Sequence, residues 1–303
     1  MSGYFDEFEP ATRRFLTYVA LFLIKTNVWV SKFRLVLAVL GVVTNLFHLI
    51  ILGQKSLRSN ATNVLLIGIA LSDLFFLFFY VSNEAEIYLQ PENIDCVPPM
   101  TWIETLYKWI VGAARDIFRR LSAWLGVFLA LFRALVIKFV ENNRFQSLLE
   151  PATSWKLIFI SIFVSSLVSS LQWARLCIYQ YDDWIPDEKC ANFPPNSSFP
   201  NYELNSNPIF DSYHDEILKS FLLLDGAFRV VPSVLYPILA AVLVWELRKA
   251  QKRREKLQSG RVRKGDRTTR LVAAMAVLYA LGEAPVGISY FLEWIFHDQM
   301  GVL

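Results

Sequence analysis

The sequence predicts an all-α bundle of transmembrane helices, and three observations predict it. Of 303 residues 54% are hydrophobic and only 19% charged, and the apolar residues fall in long runs, which is membrane composition. A hydrocarbon core about 30 Å thick takes about 20 helical residues, and six apolar runs approach or exceed that length. Between the runs the sign of the charge alternates at every crossing.

The elements follow in chain order. Residues 1–32 read as an extracellular N-terminal segment. Within it 15–24 is a short apolar run after Arg13 and Arg14, followed by Lys25, so it reads as an external or interfacial helix. An additional span with the N-terminus inside also satisfies the charge pattern. A transmembrane domain follows at 33–296, with spans at about 33–53, 64–81, 105–139, 157–179, 217–248 and 268–296. An unpaired backbone group in lipid costs several kcal/mol, so runs of this length without two-residue alternation are helices. The short terminus 297–303 covers about 10 Å as a helix, too little for a further crossing.

Charge orients the spans. Residues 54–62 carry Lys55 and Arg58 and no acid, 133–156 carry a net +2, and 246–270 carry eleven Lys and Arg against three acids. Residues 82–104 carry five acids and no base, and 179–217 eight acids against Lys189 alone. Basic loops stay in the cytosol, so the loops at 82–104 and 179–217 are expected outside. The five prolines of 182–216 mark a surface loop.

Three cysteines allow three single pairings. Cys96 and Cys190 share the outward, oxidising side, which favours that pair, and Cys177 reads as a packing residue near the end of the fourth span. Asn196-Ser197-Ser198 is a glycosylation sequon in an outward loop, whereas Asn60-Ala61-Thr62 lies in an inward one.

Charge at bilayer depth costs about 2.5–3.5 kcal/mol per residue, so charged residues there need partners or a cavity. In the third span Arg115, Arg119, Ser122, Gly126 and Arg133 share one stripe, with Ile117, Trp124, Phe128 and Leu131 opposite. The small and polar stripe is expected in the bundle and the bulky one in lipid. Arg119 and Arg115 lie about 21 Å and 27 Å above Arg133 along the helix. They are candidates, with Asp116 and Arg120, for a pocket open to the outside that takes a peptide or other ligand with an acidic or carbonyl-rich part. Pairing of Asp116 with Arg119 or Arg120 stands as the alternative. Glu283, beside Pro285, is a further pocket candidate by depth. Asn45, His48 and Asp73 read as one buried polar cluster or as separate structural residues. Asp225 and Arg229 read as a mutual i, i+4 pair. Pro232, Pro237 and Pro285 are expected kinks.

No nucleophile elbow, phosphate loop or metal-ligand cluster is present, and His48, His214 and His297 stand apart. The sequence therefore points to no enzyme, metal, cofactor or nucleic acid. The basic run from Arg248 and Lys249 to Arg254 continues the fifth helix and suits anionic lipid of the bilayer surface.

Asn45-Leu46-Phe47-His48 with Lys55 and Arg58, then Ile69-Ala70-Leu71-Ser72-Asp73, resemble the first two helices of rhodopsin-like G-protein-coupled receptors. Arg119-Arg120-Leu121-Ser122-Ala123-Trp124-Leu125-Gly126 leads to Ala130-Leu131-Phe132-Arg133-Ala134-Leu135-Val136. With Glu246-Leu247-Arg248-Lys249-Ala250, Arg267-Thr268-Thr269-Arg270 and Glu283-Ala284-Pro285-Val286-Gly287-Ile288-Ser289-Tyr290, the set is similar to the nematode serpentine receptor class W family. That family is grouped with FMRFamide-type neuropeptide receptors, and the similarity spans about 35–296.

The resemblance implies a plasma-membrane receptor that binds an extracellular peptide, FMRFamide-like, and couples to a cytosolic heterotrimeric G protein. It implies Arg133, Arg248, Lys249 and Arg270 as coupling residues, Asn45, Asp73 and Pro285 as a buried polar switch, and the Cys96–Cys190 disulfide. Departures are Phe132 and Ala134 beside Arg133, Gly282-Glu283-Ala284-Pro285 in place of Cys-Trp-x-Pro, and a Cys96 that lies 37 residues before Arg133. The seventh span, with Asn-Pro-x-x-Tyr, is expected to be absent. Three alternatives stay open: a truncated copy that does not signal, a receptor dimer with a full-length relative, and a transporter or channel.

Overall fold

The computed structural model describes residues 9–89, 96–138, 150–187, 189–190, 193–194, 197–257 and 265–300. Among the described residues six long helices carry the fold: α1 (Pro10–Leu52), α2 (Ala61–Leu89), α3 (Trp102–Lys138), α4 (Pro151–Trp173), α5 (His214–Leu257) and α6 (Gly265–Met300). Between α4 and α5 lie strands β1 (Leu176–Trp184) and β2 (Phe199–Ser206) and a 3-10 turn, Pro208–Tyr213. Four described stretches are long and apolar enough to cross a bilayer: Lys32–Leu52, Ala61–Ala85, Pro151–Trp173 and Pro208–Lys249.

Local chemistry sets the helix starts. Pro10 and Pro151 open α1 and α4, where a missing N–H costs nothing. The Asn60 side chain accepts from Thr62 N–H at 2.9 Å and caps α2. Thr101 and Glu104 form a capping box on α3: Thr101 N–H donates to Glu104 Oε2 at 2.7 Å, and Glu104 N–H to Thr101 Oγ1 at 3.4 Å. The Thr101 backbone N–H and the Thr101 hydroxyl, which donates to Glu104 Oε2 at 2.9 Å, hold the exposed Glu104 carboxyl below its ordinary pKa.

The bundle centres on α3, which packs against α2, α4 and α5. Ala61, Val64 and Leu65 of α2, Leu121, Leu125 and Phe132 of α3, and Ile158 of α4 form a buried core. A Cβ on Gly68 would meet Ile158 Cδ1 at 2.9 Å and Leu125 Cδ1 at 3.0 Å, so a small residue lets the three helices approach. Ser154 Oγ donates to Ala61 O at 2.8 Å, satisfying a hydroxyl that has no water to turn to.

Among the described residues α6 packs along α5, and no comparable interface joins it to α1, α2 or α3. The α5–α6 seam closes at Gly287, where a Cβ would lie 2.7 Å from Val230 Cγ2 and 3.2 Å from the Val230 backbone nitrogen.

Several expectations need correction. The apolar run 15–24 is part of one continuous α1 and no separate helix. The fourth span ends at Trp173, six residues short of 179, because Leu176-Cys177-Ile178-Tyr179 is rich in strand-forming side chains. Cys177 therefore lies in β1, where its thiol donates to Ser206 O at 3.5 Å. The proline-marked surface loop is a folded antiparallel hairpin, with Tyr179 opposite Glu203. Trp184, Phe193 and Phe199 cluster with centroids 5.5–6.0 Å apart at its turn end. The Cys96–Cys190 disulfide forms, and Thr105 Oγ1 donates to Tyr202 O at 3.1 Å, so the hairpin is fixed to the start of α3. Asn196 lies outside the described residues.

Trp124 and Phe128 do not mark a lipid-facing stripe. Trp124 meets Phe228 of α5 edge-on at 5.6 Å, and Leu121, Leu125, Ala130 and Phe132 are buried, since a central helix contacts neighbours on most sides.

The α5–α6 seam gives a direct test. Gly287→Ala is expected to lower thermal stability in detergent by about 1–3 kcal/mol through overpacking, while Gly282→Ala, with nothing within 4 Å, is expected to leave it unchanged or slightly higher.

Candidate functional site

At mid-bundle three helices contribute charge to one cluster. Asp225 of α5 is 1% exposed and receives three guanidinium groups: Arg119 at 3.3 Å, Arg229 at 2.9 Å, and Arg120, all within direct ion-pair contact. Arg120 reaches from α3 in the other direction to Ser169 Oγ on α4, and is itself 1% exposed. Glu283 of α6 closes the cluster, accepting from Arg229 at 3.1 Å and from Arg119 at 3.5 Å. At 3.5 Å the second bond is at the limit of hydrogen bonding, so Glu283 is the loosely held member. It is also the most open, 28% exposed against 1% for Asp225.

Three arginines are in ion-pair contact with two carboxylates, and Asp116, one helical turn before Arg120, acts on it through space, in a low-dielectric setting where an uncompensated ion costs several kcal/mol. The Tyr290 ring, 4.8 Å beneath the Arg229 guanidinium, adds a cation–π contact.

The sequence-derived ligand residues divide. Arg119 and Glu283 are brought together. Asp116 pairs with neither Arg119 nor Arg120; it accepts from Trp173 Nε1 at 3.1 Å. That indole packs on Gly112, where a Cβ would lie 2.3 Å from its ring, and Trp109 Nε1 donates to Trp173 O at 3.1 Å. Arg115, half-buried and about 6 Å along α3 from Arg119, has no hydrogen bond or ion pair among the described residues.

Asp225 and Arg229 do pair, yet they are no isolated couple: they are the centre of the site. The pairing of Arg120 with Asp225 is not legible in the sequence, because nothing in one sequence says that this face of α5 meets α3. One signal was available. Arg119 and Glu283 lie at matching rises of about 20 Å from Arg133 and Arg270, the inner ends of their helices.

A second polar region is a cavity of about 490 Å³ lined by Asn45 and His48 of α1, Asp73 of α2, Ser122 of α3, Tyr236 of α5 and Tyr279 of α6 among others. Ser122 Oγ donates to Asp73, while the Asn45 amide donates to Gly41 O of its own helix at 3.0 Å and His48 is exposed. Asn45, His48 and Asp73 thus share a cavity without forming one hydrogen-bonded cluster. Pro285 is exposed and does not line it, because the α6 residue facing the cavity is Tyr279. Toward the other end of the helices, Arg133 is half-buried with no ion-pair partner among the described residues. Arg248 and Lys249 are exposed on α5, and Arg270 lies in α6 with its side chain outside the described residues.

Removing one charge separates a structural ion from a bystander. Asp225→Asn is expected to cost about 3–5 kcal/mol or to abolish surface expression, because three guanidinium groups lose their shared anion. Asp116→Asn, which disturbs one indole bond, is expected to cost no more than about 1–3 kcal/mol, read as surface level and thermal midpoint.

A family profile described as serpentine type 7TM GPCR chemoreceptor Srw matches residues 32–303. No curated protein matches the chain significantly.

Proposed function

The chain belongs to the Srw family of serpentine 7TM G-protein-coupled chemoreceptors, a class of multi-pass membrane receptors and not of enzymes, and from that premise we propose that it binds an extracellular peptide and signals to a cytosolic heterotrimeric G protein. The observation that carries the ligand reading is the half-open ion cluster of Arg119, Arg229 and Glu283, with Arg115 extending it along α3. Guanidinium forks suit planar acceptors, whether a carboxylate or the carbonyl of the FMRFamide-like peptides that the family resemblance implies.

Topology supports the same reading. The acid-rich hairpin and the 82–104 segment face outward, and the segments at 54–62, 133–156 and 246–270 face the cytosol, in accord with the retention of Lys and Arg inside. Six helices cross the plasma membrane in this arrangement, with residues 1–32 outside and a glycan at Asn196 in the outward loop. A peptide with a basic body meets the acidic outer loops first and its acceptor end meets the arginines below. On the inner side Arg133 sits at the end of α3 where the coupling arginine of rhodopsin-like receptors is found, beside the basic tip of α5 with Arg248 and Lys249 and the start of α6 with Arg270. The polar switch between the two ends is placed at Asn45 and Asp73, which share one cavity, without Pro285.

The reading is tested in cells carrying G-protein biosensors, exposed to FMRFamide and to a panel of amidated and free-acid peptides. A peptide is expected to raise the signal from the wild-type chain; Arg133→Ala should abolish the response at unchanged surface level, and Arg119→Leu should weaken it at least tenfold. A tag at Asn201 should be reachable on intact cells and a tag at Ser259 only after permeabilisation; both reachable would overturn the topology.

A further inference from the structure

We propose that Glu283 is an internal stand-in for a ligand carboxylate, and that an incoming carboxylate replaces it on Arg119 and Arg229 and thereby releases α6 from α3. The inference rests on the receptor reading for its physiological meaning, and narrows it to ligands that carry a carboxylate.

Within the cluster the two acids have different standing. Asp225 is sealed and held by three arginines; Glu283 is partly open, held at 3.1 Å and 3.5 Å, and stands on a different helix. The helix it stands on packs along α5 and has no comparable interface with α3, so the Arg119–Glu283 contact is a long-range tie between α6 and the centre of the bundle. Breaking that tie leaves the Asp225 core intact, because Arg119, Arg120 and Arg229 keep their shared anion.

Charge balance selects the class of the incoming group. A neutral carbonyl in place of Glu283 would take one negative charge away from the two arginines it pairs with, in surroundings where each uncompensated ion is costly. A carboxylate restores the original balance and matches the forked donors of both arginines. That favours free-acid ligands over the amidated FMRFamide-like class. Arg115, half-buried and without an ion-pair partner among the described residues, continues the cationic track along α3 by one helical turn.

The displaced side chain has a donor nearby. Tyr279 lies four residues before Glu283 on the same face of α6, and its hydroxyl is buried with no hydrogen-bond partner among the described residues. Glu283 thus has two alternative sets of donors, the arginines or the phenol, as a two-position element requires.

The test uses the full chain in nanodiscs with formate, acetate and propionate as probes, and propionamide and chloride as controls at matched ionic strength. Glu283→Ala is expected to lower the thermal midpoint, and the carboxylates, not propionamide or chloride, to restore it; the restoration should vanish in Arg119→Leu/Glu283→Ala. Should the alanine variant fail to fold, Glu283→Gln keeps the shape, and propionate is expected to stabilise it more than it stabilises wild type. Spin labels at 138 and 268 should report a longer α3–α6 distance in Glu283→Gln than in wild type. Stabilisation that is absent, or equal with propionamide, overturns the stand-in, as does an unchanged label distance. Carboxylate stabilisation and label movement without G-protein activation would leave the stand-in upheld and overturn the receptor reading alone.

Discussion

Three buried guanidinium groups share one carboxylate, and the middle of the bundle depends on that arrangement. Without Asp225, Arg119, Arg120 and Arg229 would repel one another in an interior that offers almost no water. With it, α3 and α5 are drawn together at mid-depth, Arg120 reaches on to Ser169, and α4 joins the same network. A cluster of this kind is costly to bury, and an apolar core would hold helices together as well; what the charges add is a site that responds to other charges.

The helical architecture was legible in the sequence because length and apolarity are enforced by the bilayer residue by residue. The starts at Pro10, Pro151 and Asn60 follow from side chains that satisfy or dispense with terminal N–H groups. The hairpin was not legible. Leu176-Cys177-Ile178-Tyr179 is as apolar as a helix end, and only the pairing with residues 203–206, a long-range fact, makes it a strand. Pro186, Pro194 and Pro208 sit outside the paired registers, and Pro200 falls at the register irregularity between Phe199 and Asn201, where a missing donor is tolerated.

Of the site, the sequence yielded the residues that are costly at depth, Arg115, Arg119, Asp116 and Glu283, but only part of their partnership. The i, i+4 spacing of Asp225 and Arg229 concealed their role, since a self-sufficient pair needs no third party. For Asp116, proximity along α3 offered its arginine neighbours as an alternative to the pocket, whereas the Trp173 indole that donates to it arrives from α4 and is invisible to any count along one helix. The Asp73 region shows the opposite limit, where residues read as a cluster share a cavity but spend their hydrogen bonds separately.

The length of α5 has a mechanical consequence. At 44 residues it extends about 66 Å, roughly twice the hydrocarbon thickness, with Pro232 and Pro237 interrupting its ladder of bonds near the middle. From Pro237 to Leu257 the helix runs about 30 Å, so a bend of ~10° at the proline swings the far tip through about 5 Å. A sub-ångström change around Asp225, twelve residues before that proline, is thus geared up by the long arm into a displacement the size of a side chain.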